Sequence, residues 1–112
     1  MILAIDVGNT NIVLGCIDDQ KVYFTERVST DPAKTELEYA VAVKTVLELY
    51  NIRKEYITGA VISSVVPPLN GIFSSAINKL LNVKPIIVGP GVKNGLNILM
   101  DNPKQLGADL VV

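Results

Sequence analysis

Ile2-Leu3-Ala4-Ile5-Asp6-Val7-Gly8-Asn9-Thr10-Asn11-Ile12-Val13-Leu14-Gly15-Cys16-Ile17 opens the chain, and the fold turns on how this stretch divides. Ile2 to Ile5 is short, continuous and apolar, the pattern of a strand buried on both faces. Gly8-Asn9-Thr10-Asn11 is a cluster of turn formers, and a second apolar run, Ile12 to Ile17, follows at once. Two strands joined so tightly must be antiparallel neighbours. Cys16 lies inside the second run, where a thiol behaves as a small buried hydrophobe.

Working outward, Asp18-Asp19-Gln20 predicts the next turn and Lys21 to Val28 a third strand. There Val22, Phe24 and Val28 alternate with Tyr23, Thr25 and Arg27, which leaves one face wet. Thr35 and Glu38 have capping-box spacing. Tyr39, Ala42, Val43, Val46, Leu47 and Tyr50 then fall on one face of an amphipathic helix. Thr58 to Ser64 reads as a buried strand that Pro67-Pro68 ends, with the prolines opening a second helix. Its stripe is Leu69, Ile72, Phe73, Ala76, Ile77 and Leu80. Pro85 to Val88 predicts a further strand, Gly89-Pro90-Gly91 and Asn94-Gly95 loops, Leu96 to Ile98 a short strand, and Lys104 onward a helix. The order is β-β-β-α-β-α-β-α, an α/β mixed sheet with helices on its faces, as in a ribonuclease H-like lobe. Gly107 to Val112 stops on apolar residues without a capping signal, so residues 1–112 are expected to form one lobe cut within its last helix.

Composition narrows the function. The 112 residues are 49% hydrophobic, enough for one modest core, and carry a net charge of −1. The basic residues are spread along the chain and the pI is about 5.3, which disfavours a nucleic-acid partner. A single cysteine rules out an internal disulfide, and the absence of histidine removes the usual zinc ligand and proton shuttle. A metal here should be a hard ion held by oxygen, and proton transfer should fall to a carboxylate. The amino terminus reaches Asp6 too soon for a signal peptide, and no run has the length of a membrane span. The expectation is a cytoplasmic protein with no membrane partner.

Two motifs carry chemistry. Asp6-Val7-Gly8-Asn9-Thr10-Asn11 lies between two strands, where a hairpin can bind phosphate. Gly8 permits close approach, Asn9, Thr10 and Asn11 supply donors, and the turn backbone supplies a nest of amides. Asp6 can face the phosphates and hold Mg²⁺ through water. An ordinary hairpin would use the same turn formers for backbone reasons alone. Neither a P-loop nor a Rossmann glycine pattern is present. The second motif is Asp101-Asn102-Pro103 followed by Gly107-Ala108-Asp109. Asp109 is either a helix-start carboxylate favoured by the dipole or the acceptor of a hydroxyl proton in phosphoryl transfer.

Four stretches in order, DVGNTNIV (6–13), ISSVVPP (62–68), VGPGVKNGL (88–96) and DNPKQLGAD (101–109), resemble the first half of type III pantothenate kinase, a family of the actin/hexokinase/Hsp70-like superfamily. The resemblance implies ATP-dependent phosphorylation of pantothenate to 4'-phosphopantothenate, the first step of coenzyme A biosynthesis. It maps the ATP phosphate loop onto Asp6, Val7, Gly8, Asn9, Thr10, Asn11, Ile12 and Val13. It makes Asp109 the catalytic base and puts pantothenate against Met100, Gly107, Ala108, Asp109 and Leu110. It further implies Mg²⁺ with ATP, a monovalent cation (K⁺ or NH₄⁺) held beyond this chain, a second lobe and a homodimer. Residues 1–112 alone would hold half a site and be inactive. Two positions depart from the family pattern: Leu110 stands where arginine is usual, and Met100 where tyrosine is. Neither can offer the arginine fork to a carboxylate.

Two other readings use the same residues. A non-catalytic relative that binds nucleotide or pantothenate would tolerate Leu110 and Met100. A ribonuclease H-like resolvase also starts with Asp-x-Gly on its first strand, but it needs further carboxylates to complete a metal pair. The fourth strand expected here has none.

Overall fold

The computed structural model describes residues 1–19 and 21–88. Five strands form one mixed sheet: β1 (Ile2–Val7), β2 (Asn11–Ile17), β3 (Val22–Ser29), β4 (Gly59–Ser64) and β5 (Ile86–Val88), in the spatial order β3-β2-β1-β4-β5. The β1–β2 and β2–β3 pairs are antiparallel, while β4 runs parallel to both β1 and β5. The order of elements through β5 is the one read from the sequence. The strand expected at 96–98, the loops at 89–91 and 94–95 and the helix from residue 104 lie outside the described residues.

Helix α1 (Glu36–Leu49) starts at the expected cap. The Thr35 hydroxyl accepts from the Glu38 amide at 3.3 Å, and the Glu38 carboxylate accepts from the Thr35 amide at 3.1 Å. That satisfies two of the donors a helix start leaves orphaned. Its buried stripe is Tyr39, Ala40, Val43, Val46 and Leu47. Ala40, not expected in the stripe, is buried, while Ala42 is only half-buried. Tyr50 caps the helix and stays 39% exposed, because it stacks on Phe24 with ring centroids 4.7 Å apart. Pro67-Pro68 does not open the second α-helix directly. Pro67–Leu69 is a separate 3₁₀ turn closed by Leu69 N–H on the Val66 carbonyl, and α2 runs Asn70–Leu81. Two successive prolines have no N–H to give, so this tighter turn is what the backbone can form there. A further 3₁₀ turn, Lys54–Tyr56, leads into β4 and carries no pattern in the sequence that marks it. Asn51 and Asn82, just after the two helices, adopt the left-handed conformation common at helix ends.

Both helices cover one face of the sheet. Leu3, Ile5 and Val7 of β1, Ile12, Leu14 and Cys16 of β2, Phe24 of β3 and Ala60 and Ile62 of β4 point to that side. They pack against the stripe of α1 and against Phe73, Ala76 and Ile77 of α2, and Tyr39 meets Phe73 at 4.4 Å between ring centroids. Burial pushes the Cys16 thiol up to about 11, with Asp18 adding to the shift, so the thiol is a core group as expected. On the opposite face Ala4, Ile17 and Val61 form a smaller buried cluster with Ile2, Val13, Val22 and Val88 beside it. Asp6 lies on this second face. No described helix is long and apolar enough to cross a membrane.

Candidate functional site

The site sits where β1 and β4 end together. Both strands point the same way, the Val65 amide binds the Val7 carbonyl at 3.0 Å, and β1 turns back there into β2. In open α/β sheets the crevice beyond the carboxyl ends of the strands is the usual place for a ligand. The turn is held from two directions. Within it, Gly8 N–H donates to the Asn11 carbonyl at 2.9 Å. From the end of β3, Thr30 donates its amide to the Thr10 carbonyl at 2.9 Å and its hydroxyl to the Gly8 carbonyl at 2.7 Å.

These bonds decide which donors remain for a ligand. The Gly8 amide is consumed inside the turn, so it cannot be part of the expected nest. No described glycine has a positive φ, so Gly8 does not serve as a left-handed turn residue. Among the described residues the amides of Asn9 and Thr10 and the Thr10 hydroxyl have no acceptor, and both residues are exposed. A turn that keeps its own geometry and leaves these donors open suits an anion.

The register adds a row of side chains. Asp6 pairs with Val13 on β2 and with Ser63 on β4, and Val13 pairs with Arg27 on β3. Residues directly opposite across a ladder share a face, so Arg27, Val13, Asp6 and Ser63 lie side by side. Asp6, Gly8, Asn9, Thr10, Asn11, Val13 and Arg27 line one cavity of about 310 Å³. Asp6 is 4% exposed and Ser63 is fully buried, and the Ser63 hydroxyl makes no hydrogen bond to a described residue. The neighbours of Asp6 on the flanking strands are thus a valine and a serine rather than the second carboxylate of a nuclease metal pair.

A larger hollow of about 620 Å³ lies between the end of α1, the Lys54–Tyr56 turn and Leu80 of α2. Its charged groups Lys44 and Glu48 pair at 3.7 Å, and Arg53 and Glu55 at 3.4 Å. These four pair with each other instead of converging on a ligand, and Lys54 is the remaining charged group of the described lining.

Of the residues singled out in the sequence, Asp6 and 8–11 line the cavity together with Val13. Val7 and Ile12 are fully buried in the main core, so their part in a ligand contact is limited to the backbone. Met100, Gly107, Ala108, Asp109 and Leu110 lie outside the described residues. Arg27 and Thr30 lie in none of the motifs, and Ser63, though within the stretch 62–68, carried no expected site role. Only the pairing of β3 and β4 with the hairpin brings them to Asp6.

Comparison with known proteins places this geometry. The sequence model of the type III pantothenate kinase family matches residues 2–112. A curated Type III pantothenate kinase from an Exiguobacterium species is 47% identical over 112 residues, which is all of this chain and 44% of that protein. One from Halalkalibacterium halodurans gives the same identity and coverage. The chain therefore spans less than half the length of the curated relatives it matches. Among solved structures, a ROK hexokinase from Thermus thermophilus superposes with a TM-score of 0.58 at 14% identity, over 79% of this chain and 34% of that one. A T. thermophilus RuvC, solved with a Holliday junction substrate, superposes with a TM-score of 0.52 at 20% identity, over 80% of this chain and 64% of that one. At such identities the likeness is one of fold, and it fits the ribonuclease H-like, actin/hexokinase-type lobe read from the order of elements. The match across residues 2–112 settles the family: the chain belongs to the type III pantothenate kinases.

Proposed function

We propose that the protein containing this chain transfers the γ-phosphoryl group of ATP to the hydroxyl of pantothenate, giving 4'-phosphopantothenate and ADP, the first step of coenzyme A biosynthesis. The observation that carries this reading is the β1–β2 hairpin, with the open donors of Asn9 and Thr10 beside the buried carboxylate of Asp6, in a chain of this family. The hydroxyl oxygen of pantothenate attacks the γ-phosphorus, the bond to the β–γ bridging oxygen breaks with its electron pair leaving on ADP, and the hydroxyl proton goes to Asp109. Phosphoryl transfer asks little covalent chemistry of the protein, so positioning and charge stabilisation dominate. Asn9 and Thr10 would hold phosphate oxygens, with the backbone of Gly8 and Asn11 shaping the turn around them.

Asp6 and the unsatisfied hydroxyl of Ser63 form an oxygen-only donor pair suited to a hydrated Mg²⁺. When bound with ATP, that ion neutralises charge on the β- and γ-phosphate oxygens. Asp6 would hold the hydrated ion through its carboxylate oxygens. Pantothenate would lie against Met100, Gly107, Ala108, Asp109 and Leu110. A second lobe would close over the nucleotide, and the monovalent cation and the homodimer belong to the same proposal, as does a cytoplasmic location.

Hydrogen exchange tests the hairpin directly. In the full-length protein, Mg-ATP should slow exchange of the Asn9 and Thr10 amides while leaving the amides of α1 unchanged. Protection elsewhere with none at these two amides would remove the loop from the ATP site.

A further inference from the structure

The cavity at the hairpin has a charge balance that its motif residues do not explain. Among the described motif residues of the lining, Asp6 brings a carboxylate and none brings a cation. Among the described residues the one cation lining the cavity is Arg27. It stands on β3, two strands from Asp6 on the same face, with Val13 between them. Two strand spacings put its backbone about 10 Å from that of Asp6. A long side chain and a pair of linked phosphates can cross that gap together. The β3 end that carries Arg27 is tied to the hairpin by both Thr30 hydrogen bonds, so the guanidinium and the loop amides keep a fixed relation. Among the described residues no carboxylate forms an ion pair with Arg27, whereas Arg53, Lys44 and Lys79 each have one. Its side chain is exposed, and it lines the same cavity as Val13 and the residues of the turn.

We infer that Arg27 is a phosphate-binding residue of this site, whose guanidinium takes non-bridging oxygens of the nucleotide's polyphosphate as a forked pair. The inference rests on the ATP reading above and adds to it a cationic side chain of the chain itself beside the hairpin donors. Arginine suits the role because its planar fork matches two phosphate oxygens at once, a geometry lysine cannot reproduce. Val13 stands opposite it on the same face of the sheet and lines the same cavity, an apolar neighbour along which the stem of a long cation can lie.

The test uses the full-length protein and three variants of one position: the native arginine, Arg27→Gln and Arg27→Lys. Each is titrated with tripolyphosphate, ATP and adenosine, and its melting temperature is recorded. Arg27→Gln should weaken tripolyphosphate and ATP by about ten- to a hundredfold, the usual worth of hydrogen bonds to a charged group. Adenosine affinity and melting temperature should not move. Arg27→Lys should recover part of the loss, since it keeps the charge and loses the fork. Equal tripolyphosphate affinity in the native protein and Arg27→Gln overturns the inference. So does a loss that extends equally to adenosine, a native protein that binds no tripolyphosphate, or an Arg27→Lys variant that binds ATP as well as the native protein. A native protein that binds tripolyphosphate through Arg27 but never phosphorylates pantothenate would overturn the kinase reading and leave the Arg27 contact standing.

Discussion

Asp109→Asn in the full-length protein is expected to lower kcat by about 10²- to 10⁴-fold, the range for loss of a general base. The amide keeps the shape and most hydrogen bonds of the carboxylate but cannot accept the hydroxyl proton. ATP affinity should hold, because the donors at the hairpin are untouched. Phosphoryl transfer has a loose transition state in which the hydroxyl need not lose its proton early, so the lower end of the range is the better guide. The structural alternative predicts a different pattern. A carboxylate that only supports a helix start would give a lower melting temperature and full activity per folded molecule. That outcome would remove Asp109 from the chemistry.

Asp6→Ala is expected to cost on the order of 10²-fold or more in kcat, as loss of one electrostatic partner of the transition state does. Its fold should survive. Asp6 is on the sheet face with the smaller cluster, while Leu3, Ile5 and Val7 hold β1 to the helices from the other side. Asp6→Asn separates charge from shape: it should be nearly as slow as the alanine variant if the carboxylate organises Mg²⁺. The check is kcat with Mg²⁺ in excess, alongside circular dichroism to confirm the fold. A folded Asp6→Ala enzyme with native kcat would exclude the role.

What the sequence made legible was local. The β1–β2 hairpin followed from two apolar runs around four turn formers. The start of α1 followed from Thr35 and Glu38, three residues apart and bonded reciprocally in the structure. The carboxylate and the turn donors of the site fall in one short motif, so they too could be found. What was missed depends on register. Arg27 and Ser63 share the face of Asp6 only because β3 and β4 pair with the hairpin in one alignment, and a shift of one residue would turn each to the other face. The fate of the Gly8 amide was hidden for a similar reason. Whether an amide in a turn is free depends on which carbonyl closes the turn, and residue types alone do not fix that. Ala40 and Ala42 flank the stripe of α1 on opposite edges, and packing against the sheet, which spacing alone does not fix, buries the Ala40 edge more fully.

Phosphoryl transfer itself is the direct test of the central claim. The purified full-length protein is incubated with Mg-ATP and pantothenate, and the products are identified by mass spectrometry over time. The account predicts 4'-phosphopantothenate and ADP appearing in equal amounts, with ADP release depending on pantothenate. Folded protein that binds ATP and pantothenate yet forms no phosphopantothenate would contradict it, and would identify the protein as a binding relative in which Leu110 and Met100 have replaced the side chains that turnover needs.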